Sequence, residues 1–222
     1  MSSEDANILN LRKKTGKLKD KVEGIKLLFN IVGVGAVAVT DNTFYIDRNQ
    51  RLFRWRKGYP EWLDLGLDTG EDFGYAGSLA ASGDTVYVGK KDGHLFQSLD
   101  AGNNWQDITS SLPLMFEEFN EIVSVGSKVY VATNNGVLFS ETGKKWRVLT
   151  DNTSSNIEIV SLAIDGNTVF GASDSGIYEL DNKGEWWIIS PEVPDNVEEL
   201  VIHDEKLYIV TKKRGMFYIP LN

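Results

Sequence analysis

One feature limits the fold of this chain more than any other: an internal repeat of about 40 residues. An aromatic residue recurs on a hairpin-like segment at positions 45, 87, 130, 170 and 208, in steps of 42, 43, 40 and 38. The segments are Asn42-Thr43-Phe44-Tyr45-Ile46, Asp84-Thr85-Val86-Tyr87-Val88, Ser127-Lys128-Val129-Tyr130-Val131, Asn167-Thr168-Val169-Phe170-Gly171 and Glu205-Lys206-Leu207-Tyr208-Ile209. A glycine-led run follows most of them: Gly93-His94-Leu95-Phe96, Gly136-Val137-Leu138-Phe139, Gly176-Ile177-Tyr178 and Gly215-Met216-Phe217, with Arg51-Leu52-Phe53 in that place in the first unit. A tryptophan closes the pattern at 62, 105, 146 and 187. Each unit therefore reads as four short β-rich runs parted by Gly, Asp and Asn turns, which is too many breaks for a helical repeat.

Four strands per repeat predict a propeller blade. The first strand of a unit is rich in small residues, as in Val34-Gly35-Ala36-Val37-Ala38 and Gly77-Ser78-Leu79-Ala80-Ala81, which suits crowding around a central axis. Five aromatic hairpins predict an all-β, five-bladed β-propeller of four-stranded antiparallel blades over residues 20–222, preceded by a basic segment at 1–19, helical or disordered. The fifth unit lacks a Trp-type strand after Gly215-Met216-Phe217-Tyr218-Ile219. Each tryptophan precedes the next aromatic hairpin by 25, 25, 24 and 21 residues, and counting back from Tyr45 reaches 20–24. The run Val22-Glu23-Gly24-Ile25-Lys26-Leu27-Leu28-Phe29 is thus expected to be the outer strand of the last blade, closing the ring and covering a bare edge. A competing pattern, Ile8, Leu11, Thr15, Leu18, Val22, Ile25 and Phe29, has helical spacing, though Gly16 and Gly24 would each cost a helix about 1 kcal/mol.

The turn before Trp105 is Ser98-Leu99-Asp100-Ala101-Gly102-Asn103-Asn104-Trp105, a complete S-x-D-x-G-x-x-W. It resembles the Asp-box, or BNR repeat, of sialidase-like propellers, and the resemblance extends over residues 31–219. It implies structural roles for Ser98, Asp100, Gly102 and Trp105. Ser and Asp can bond free turn amides, Gly takes a left-handed position, and Trp wedges between sheets. Degenerate copies place Glu141, Gly143 and Trp146, then Asn182, Gly184 and Trp187, in the same roles. Gly58 and Trp62 survive in the first unit. The rival WD40 pattern fails because no tryptophan precedes an aspartate.

The resemblance raises the question of glycosidase chemistry. A sialidase centre needs three arginines around a substrate carboxylate. The seven arginines here are Arg12, a cluster at Arg48, Arg51, Arg54 and Arg56, then Arg147 and Arg214, and they cannot supply three from three inner strands. No catalytic residue is assigned, and Asp100 is not carried over as one. Gly33-Val34-Gly35-Ala36-Val37-Ala38 matches a dinucleotide fingerprint in letters only, since strand-forming residues follow it where a helix is required. His94 and His203 lack metal-ligand spacing, and cysteine is absent, so neither a metal nor a cofactor is expected.

Charge narrows the partner. The whole chain carries −9, whereas residues 1–30 carry seven Lys/Arg and four acids, leaving −12 for the remainder. Such a surface argues against duplex nucleic acid. No apolar run reaches the roughly 18 residues of a membrane span. The N-terminus, Met1-Ser2-Ser3-Glu4-Asp5, shows no signal peptide, so the chain reads as cytoplasmic as written or as a domain excised from a larger protein. The expected function is a non-catalytic scaffold, monomeric, binding a protein or peptide on one propeller face. A lectin-like propeller binding glycans is the alternative, and a glycoside hydrolase the third reading. The candidate face carries Leu114, Met115 and Phe116 from a long connection, with Lys90, Lys91, Lys212, Lys213 and Arg214 from middle turns. The competing reading of Leu114, Met115 and Phe116 is that they fold back to plug the gap between the second and third units.

Overall fold

The hairpin turns explain why the repeat folds as it does. In the computed structural model, residues 34–69, 78–193 and 195–221 are described. The tight turns joining the first two strands of each unit need positive φ, and the chain supplies it with Gly83 (φ +58°), Gly126 (+60°) and Gly166 (+57°) in three units. Asp41 (+40°) and the pair Asp204 (+49°) and Glu205 (+56°) do so in the other two.

The strands follow in plain meander order. The first sheet holds β1 (Val34–Thr40), β2 (Thr43–Arg48), β3 (Arg51–Arg56) and β4 (Leu63–Asp68). The second holds β5 (Ser78–Ser82), β6 (Thr85–Gly89), β7 (Leu95–Ser98) and the two-residue β8 (Gln106–Asp107). The third meander is β9 (Phe119–Val125), β10 (Lys128–Thr133), β11 (Gly136–Ser140) and β12 (Arg147–Asp151). The fourth is β13 (Ser161–Asp165), β14 (Thr168–Ser173), β15 (Gly176–Leu180) and β16 (Glu185–Ser190). These two are joined edge to edge by a short parallel pairing, Thr150 with Glu185 and Asp151 with Trp186, into one eight-stranded sheet that the repeat did not foreshadow. Among the described residues the last sheet has three strands, β17 (Val197–His203), β18 (Lys206–Thr211) and β19 (Gly215–Pro220). Neighbours within each meander are antiparallel. Val34–Thr40 is a strand returning through a hairpin, so no helix follows the glycines at 33 and 35. The calls for a basic segment at 1–19 and a closing strand at 20–29 lie outside the described residues.

The core is a series of layers between successive meanders. Tyr45, Leu52 and Leu67 meet Leu79, Val86 and Val88. Tyr87 and Leu95 meet Ile122, Val129 and Leu138. Tyr130, Val137 and Leu149 meet Leu162, Val169 and Trp186. Ala163, Phe170 and Ile177 meet Leu200, Leu207 and Ile209. The periodic aromatics Tyr45, Tyr87, Tyr130 and Phe170 are thus buried anchors of these layers. Burying side chains of this size is the main favourable contribution to such a fold.

Polar bonds tie the first strands of three meanders to the meander that follows. Thr40 Oγ1 accepts the Gly83 N–H at 3.0 Å, Glu121 Oε2 accepts the Leu162 N–H at 2.6 Å, and Ser161 Oγ accepts the Leu200 N–H at 3.0 Å. Each side chain therefore satisfies a backbone donor of the next meander. Among the described residues, no helix is long and apolar enough to cross a membrane.

Candidate interaction face and its supporting turns

The turn at 98–105 is built from the side chains that its motif supplies. Ser98 Oγ donates to Asp100 Oδ1 at 2.8 Å and accepts the Gly102 N–H at 2.8 Å. Asp100 Oδ1 accepts the Asn104 N–H at 2.8 Å, and its Oδ2 accepts from Asn104 Nδ2 at 2.6 Å. These Asn104 and Ser98 bonds hold the Asp100 carboxyl at about 2, below the ordinary range. Gly102 has φ +87°, and a Cβ there would strike Leu65 of the first sheet. Trp105 packs, partly buried, into the layer between the first two sheets.

The later turns keep the glycines at 143 and 184 and the tryptophan at 146, but differ at the acid position and, in the fourth meander, at the tryptophan. In the third meander, Glu141 is exposed, while buried Ser140 accepts the Thr142 N–H at 3.4 Å. Gly143 takes φ +70° beneath Tyr87 and Gln97, and Trp146 meets Tyr87 edge-on at 6.2 Å. In the fourth, Asn182 is exposed and Asp181 is the organising acid. Its Oδ1 accepts the N–H groups of Lys183 and Glu185, each at 2.8 Å, while Gly184 has φ +84°. The wedge is Trp186, 2% exposed, not Trp187, which is 52% exposed. Register explains the correction. Gln97 pairs with Gln106, Phe139 with Arg147 and Glu179 with Trp187, so the residue before each partner, Trp105, Trp146 and Trp186, occupies one equivalent place.

The long connection 108–118 packs against its neighbours by a divided arrangement of side chains. Leu114 and Phe116 pack, partly buried, on the layer between the second and third sheets, and Phe116 meets Phe119 at 4.8 Å. These two plug the gap, whereas Met115 between them is 90% exposed. Backbone bonds fix that alternation. Asn134 Oδ1 accepts the N–H groups of Glu117 and Glu118 at 3.2 and 3.3 Å, and Asn135 Nδ2 donates to the Met115 carbonyl at 2.8 Å. The 90–94 turn lies against the same segment, because a Cβ on Gly93 would sit 3.6 Å from the carbonyls of Phe116 and Glu117. In that turn Lys91 is exposed, and Lys90 Nζ lies 3.3 Å from Asp92 and 5.6 Å from the Phe96 ring centre. His94 Nδ1 lies 2.6 Å from Asp107 Oδ2. Partial burial would push the Asp107 carboxyl up, but bonds to Thr109 and His94 outweigh it and hold it low.

Lys212, Lys213 and Arg214 are exposed on the β18–β19 turn. That turn is held by the connection preceding its own sheet: Lys212 N–H donates to Asn196 O at 2.9 Å and Lys213 N–H to Asp195 Oδ2 at 2.6 Å. A feature that the sequence did not single out lies between the 152–160 connection and the 173–175 turn. It is a cleft of about 310 Å³ with Asp151, Glu158, Asp174 and Tyr178 among its lining.

No family model and no curated protein matches the chain. Solved structures do. PorZ of Porphyromonas gingivalis, described as an essential surface component of the type-IX secretion system, aligns with TM-score 0.65 at 16% identity over 86% of this chain and 27% of its own. YCF48 bound to D1 peptide aligns with TM-score 0.61 at 14% identity over 84% of this chain and 62% of its own. The computationally designed Ika8 protein aligns with TM-score 0.65 at 18% identity over 84% of this chain and 58% of its own. The chain thus spans from about a quarter to under two thirds of the length of these structures. A glycoside hydrolase of Niastella koreensis is similar as well, at 17% identity and TM-score 0.61. At these identities the likeness is one of fold, and the fold is that of β-propeller proteins.

Proposed function

We propose that this chain is a non-catalytic binding module whose long-loop face receives a protein or peptide. The observation that carries this reading is Met115. A side chain 90% exposed stands on a connection whose backbone is bonded on both sides to the Asn134-Asn135 turn. A large apolar group on a pre-organised loop, with Lys91 and His94 exposed on the adjoining turn, is how a recognition anchor is presented. The peptide carried by the YCF48 structure supports the reading by analogy of fold. We also read the architecture as five Asp-box blades. Closure of the ring by an N-terminal strand is part of this reading.

Panning a random peptide display library on the folded chain tests the function. The expected result is an enriched set of sequences whose binding falls at least tenfold in Met115→Asp, a substitution at an exposed site that leaves the melting temperature unchanged. Enrichment of nothing, or of peptides indifferent to Met115→Asp, would discard the face. Turnover of a fluorogenic glycoside panel would overturn the non-catalytic reading, and multivalent signal on a glycan array would replace peptide with sugar.

A further inference from the structure

The cleft beside Tyr178 has a composition that specifies its occupant. Its apolar lining is Ile157, Val160 and Tyr178, and its carboxylates are Asp151, Glu158 and Asp174, with no basic residue among the described lining residues. Glu158 and Asp174 are exposed, and neither makes a hydrogen bond or ion pair among the described residues. Asp151 spends one oxygen on the N–H groups of Thr153 and Ser155 and on the Thr153 hydroxyl, at 2.8, 2.9 and 2.7 Å. The hydroxyls of Ser173, Ser175 and Tyr178 form a chain with steps of 2.8 and 2.9 Å. Three O–H donors serving two bonds leave one hydrogen, and spare lone pairs, for a ligand.

We propose that this cleft binds the cationic side chain, arginine or lysine, of a peptide lying on the long-loop face. The inference rests on the binding-module reading above and names the chemistry of its ligand. A basic side chain needs what the cleft has: apolar residues beside its stem, and carboxylates and hydroxyls to accept its hydrogen bonds. A volume of about 310 Å³ is enough to admit one such side chain. A metal ion is the poorer fit, because among the described residues no three acidic or histidine side chains converge on a point.

A short chain of contacts links the cleft to Met115. Asn135 bonds the Met115 carbonyl, and its neighbour Gly136 lies against Asn156, whose Cβ would be 3.2 Å from a Cβ placed there. Asn156 lines the cleft. A ligand can therefore lay an apolar residue on Met115 and a basic one in the cleft.

Acetyl-Leu-Arg-amide and its neutral counterpart acetyl-Leu-citrulline-amide test this by amide chemical-shift perturbation of the full chain. The arginine probe is expected to move the 155–160 and 173–178 resonances, to lose that effect with added salt, and to bind at least tenfold more weakly to Glu158→Gln/Asp174→Asn. Both substitutions replace exposed acids with isosteres, so folding is preserved, and the unperturbed spectrum verifies it. Equal perturbation by the citrulline probe, no perturbation, or indifference to the double variant would overturn the inference. Panned peptides that depend on Met115 but not on Glu158 and Asp174 would leave the binding face standing and remove the basic-side-chain site.

Discussion

Arg54 of β3 reaches out of its own sheet and donates to the carbonyl of Ala101, 2.5 Å away in the second-sheet turn. Its other terminal nitrogen donates to Asn103 Oδ1 at 3.3 Å. Ala101 is a non-glycine residue at φ +58° and is 1% exposed, so its buried carbonyl needs the partner that Arg54 supplies. Gln97 does the same one unit later. Arg54 stands opposite Tyr45 and Gln97 opposite Tyr87, and Gln97 Nε2 donates to the Gly143 carbonyl at 3.3 Å. One register position thus latches each of these sheets to the turn of the next. Arg54→Met is expected to lower unfolding free energy by about 2–3 kcal/mol, since it strands a buried carbonyl, and Gln97→Leu by about 1–2 kcal/mol. Urea titration checks both through the midpoint at constant slope. Losses under about 0.5 kcal/mol would mean that the latches contribute nothing.

The adjacent tryptophans of β16 provide a second contrast. Trp186, at 2% exposure, belongs to the layer between the third and fourth meanders, while Trp187, at 52%, donates from Nε1 to Asp181 Oδ2 at 3.3 Å. Trp186→Ala is expected to cost about 3–5 kcal/mol and Trp187→Ala under about 1 kcal/mol. In Trp187→Phe the wedge remains, so its blue-shifted emission should dominate more of the fluorescence. The reverse order of destabilisation would restore Trp187 to the wedge.

That contrast also marks where the sequence stops being legible. The four-strand unit and its buried aromatics are periodic, so spacing alone locates Tyr45, Tyr87, Tyr130 and Phe170. Spacing cannot separate Trp186 from Trp187 or Asp181 from Asn182, because a turn shortened by one residue keeps its letters in view while shifting their roles. Pairing of Leu180 with Trp186 is what decides it. The latches are hidden for another reason. Arg54 and Gln97 share a geometry but no residue type. In the 108–118 connection, Leu114, Met115 and Phe116 are alike in hydrophobicity, and the amides of Asn134 and Asn135, bonded to this segment, separate plug from anchor.

Glycine positions offer a paired test of turn packing. Gly143 at φ +70° would place a Cβ against the Tyr87 hydroxyl and Gln97 Nε2, whereas Gly126 at φ +60° faces open space. Gly126→Ala should carry only the backbone penalty of about 1–2 kcal/mol. Gly143→Ala should exceed it by a further 1–3 kcal/mol, roughly the cost of overpacking a filled site. Equal melting temperatures for the two variants would show that Tyr87 and Gln97 give way freely.

The acid limb of the stability curve should depend on Asp100. Bonds from the Asn104 side chain and backbone and from Ser98 hold its folded carboxyl at about 2, below the unfolded value near 4. The folded state therefore binds fewer protons through that window. Asp100 contributes stability that is fully present above about pH 4 and is lost as pH falls towards 2. Glu121 works in the opposite sense. Burial raises its carboxyl above the ordinary range, against the lowering bonds from Leu162 and Ser161, with Glu199 adding to the rise. Its folded form keeps a proton that the unfolded chain has released, so its contribution declines as pH rises from the ordinary glutamate range to the raised folded value. Asp100→Asn is expected to lower the melting temperature at pH 7 and to flatten its fall between pH 4 and 2. Glu121→Gln, still able to accept the Leu162 N–H, should raise it at pH 7. Melting curves from pH 2 to 8 check both signs, and an unchanged acid limb in Asp100→Asn would show that the 98–105 turn does not govern acid stability.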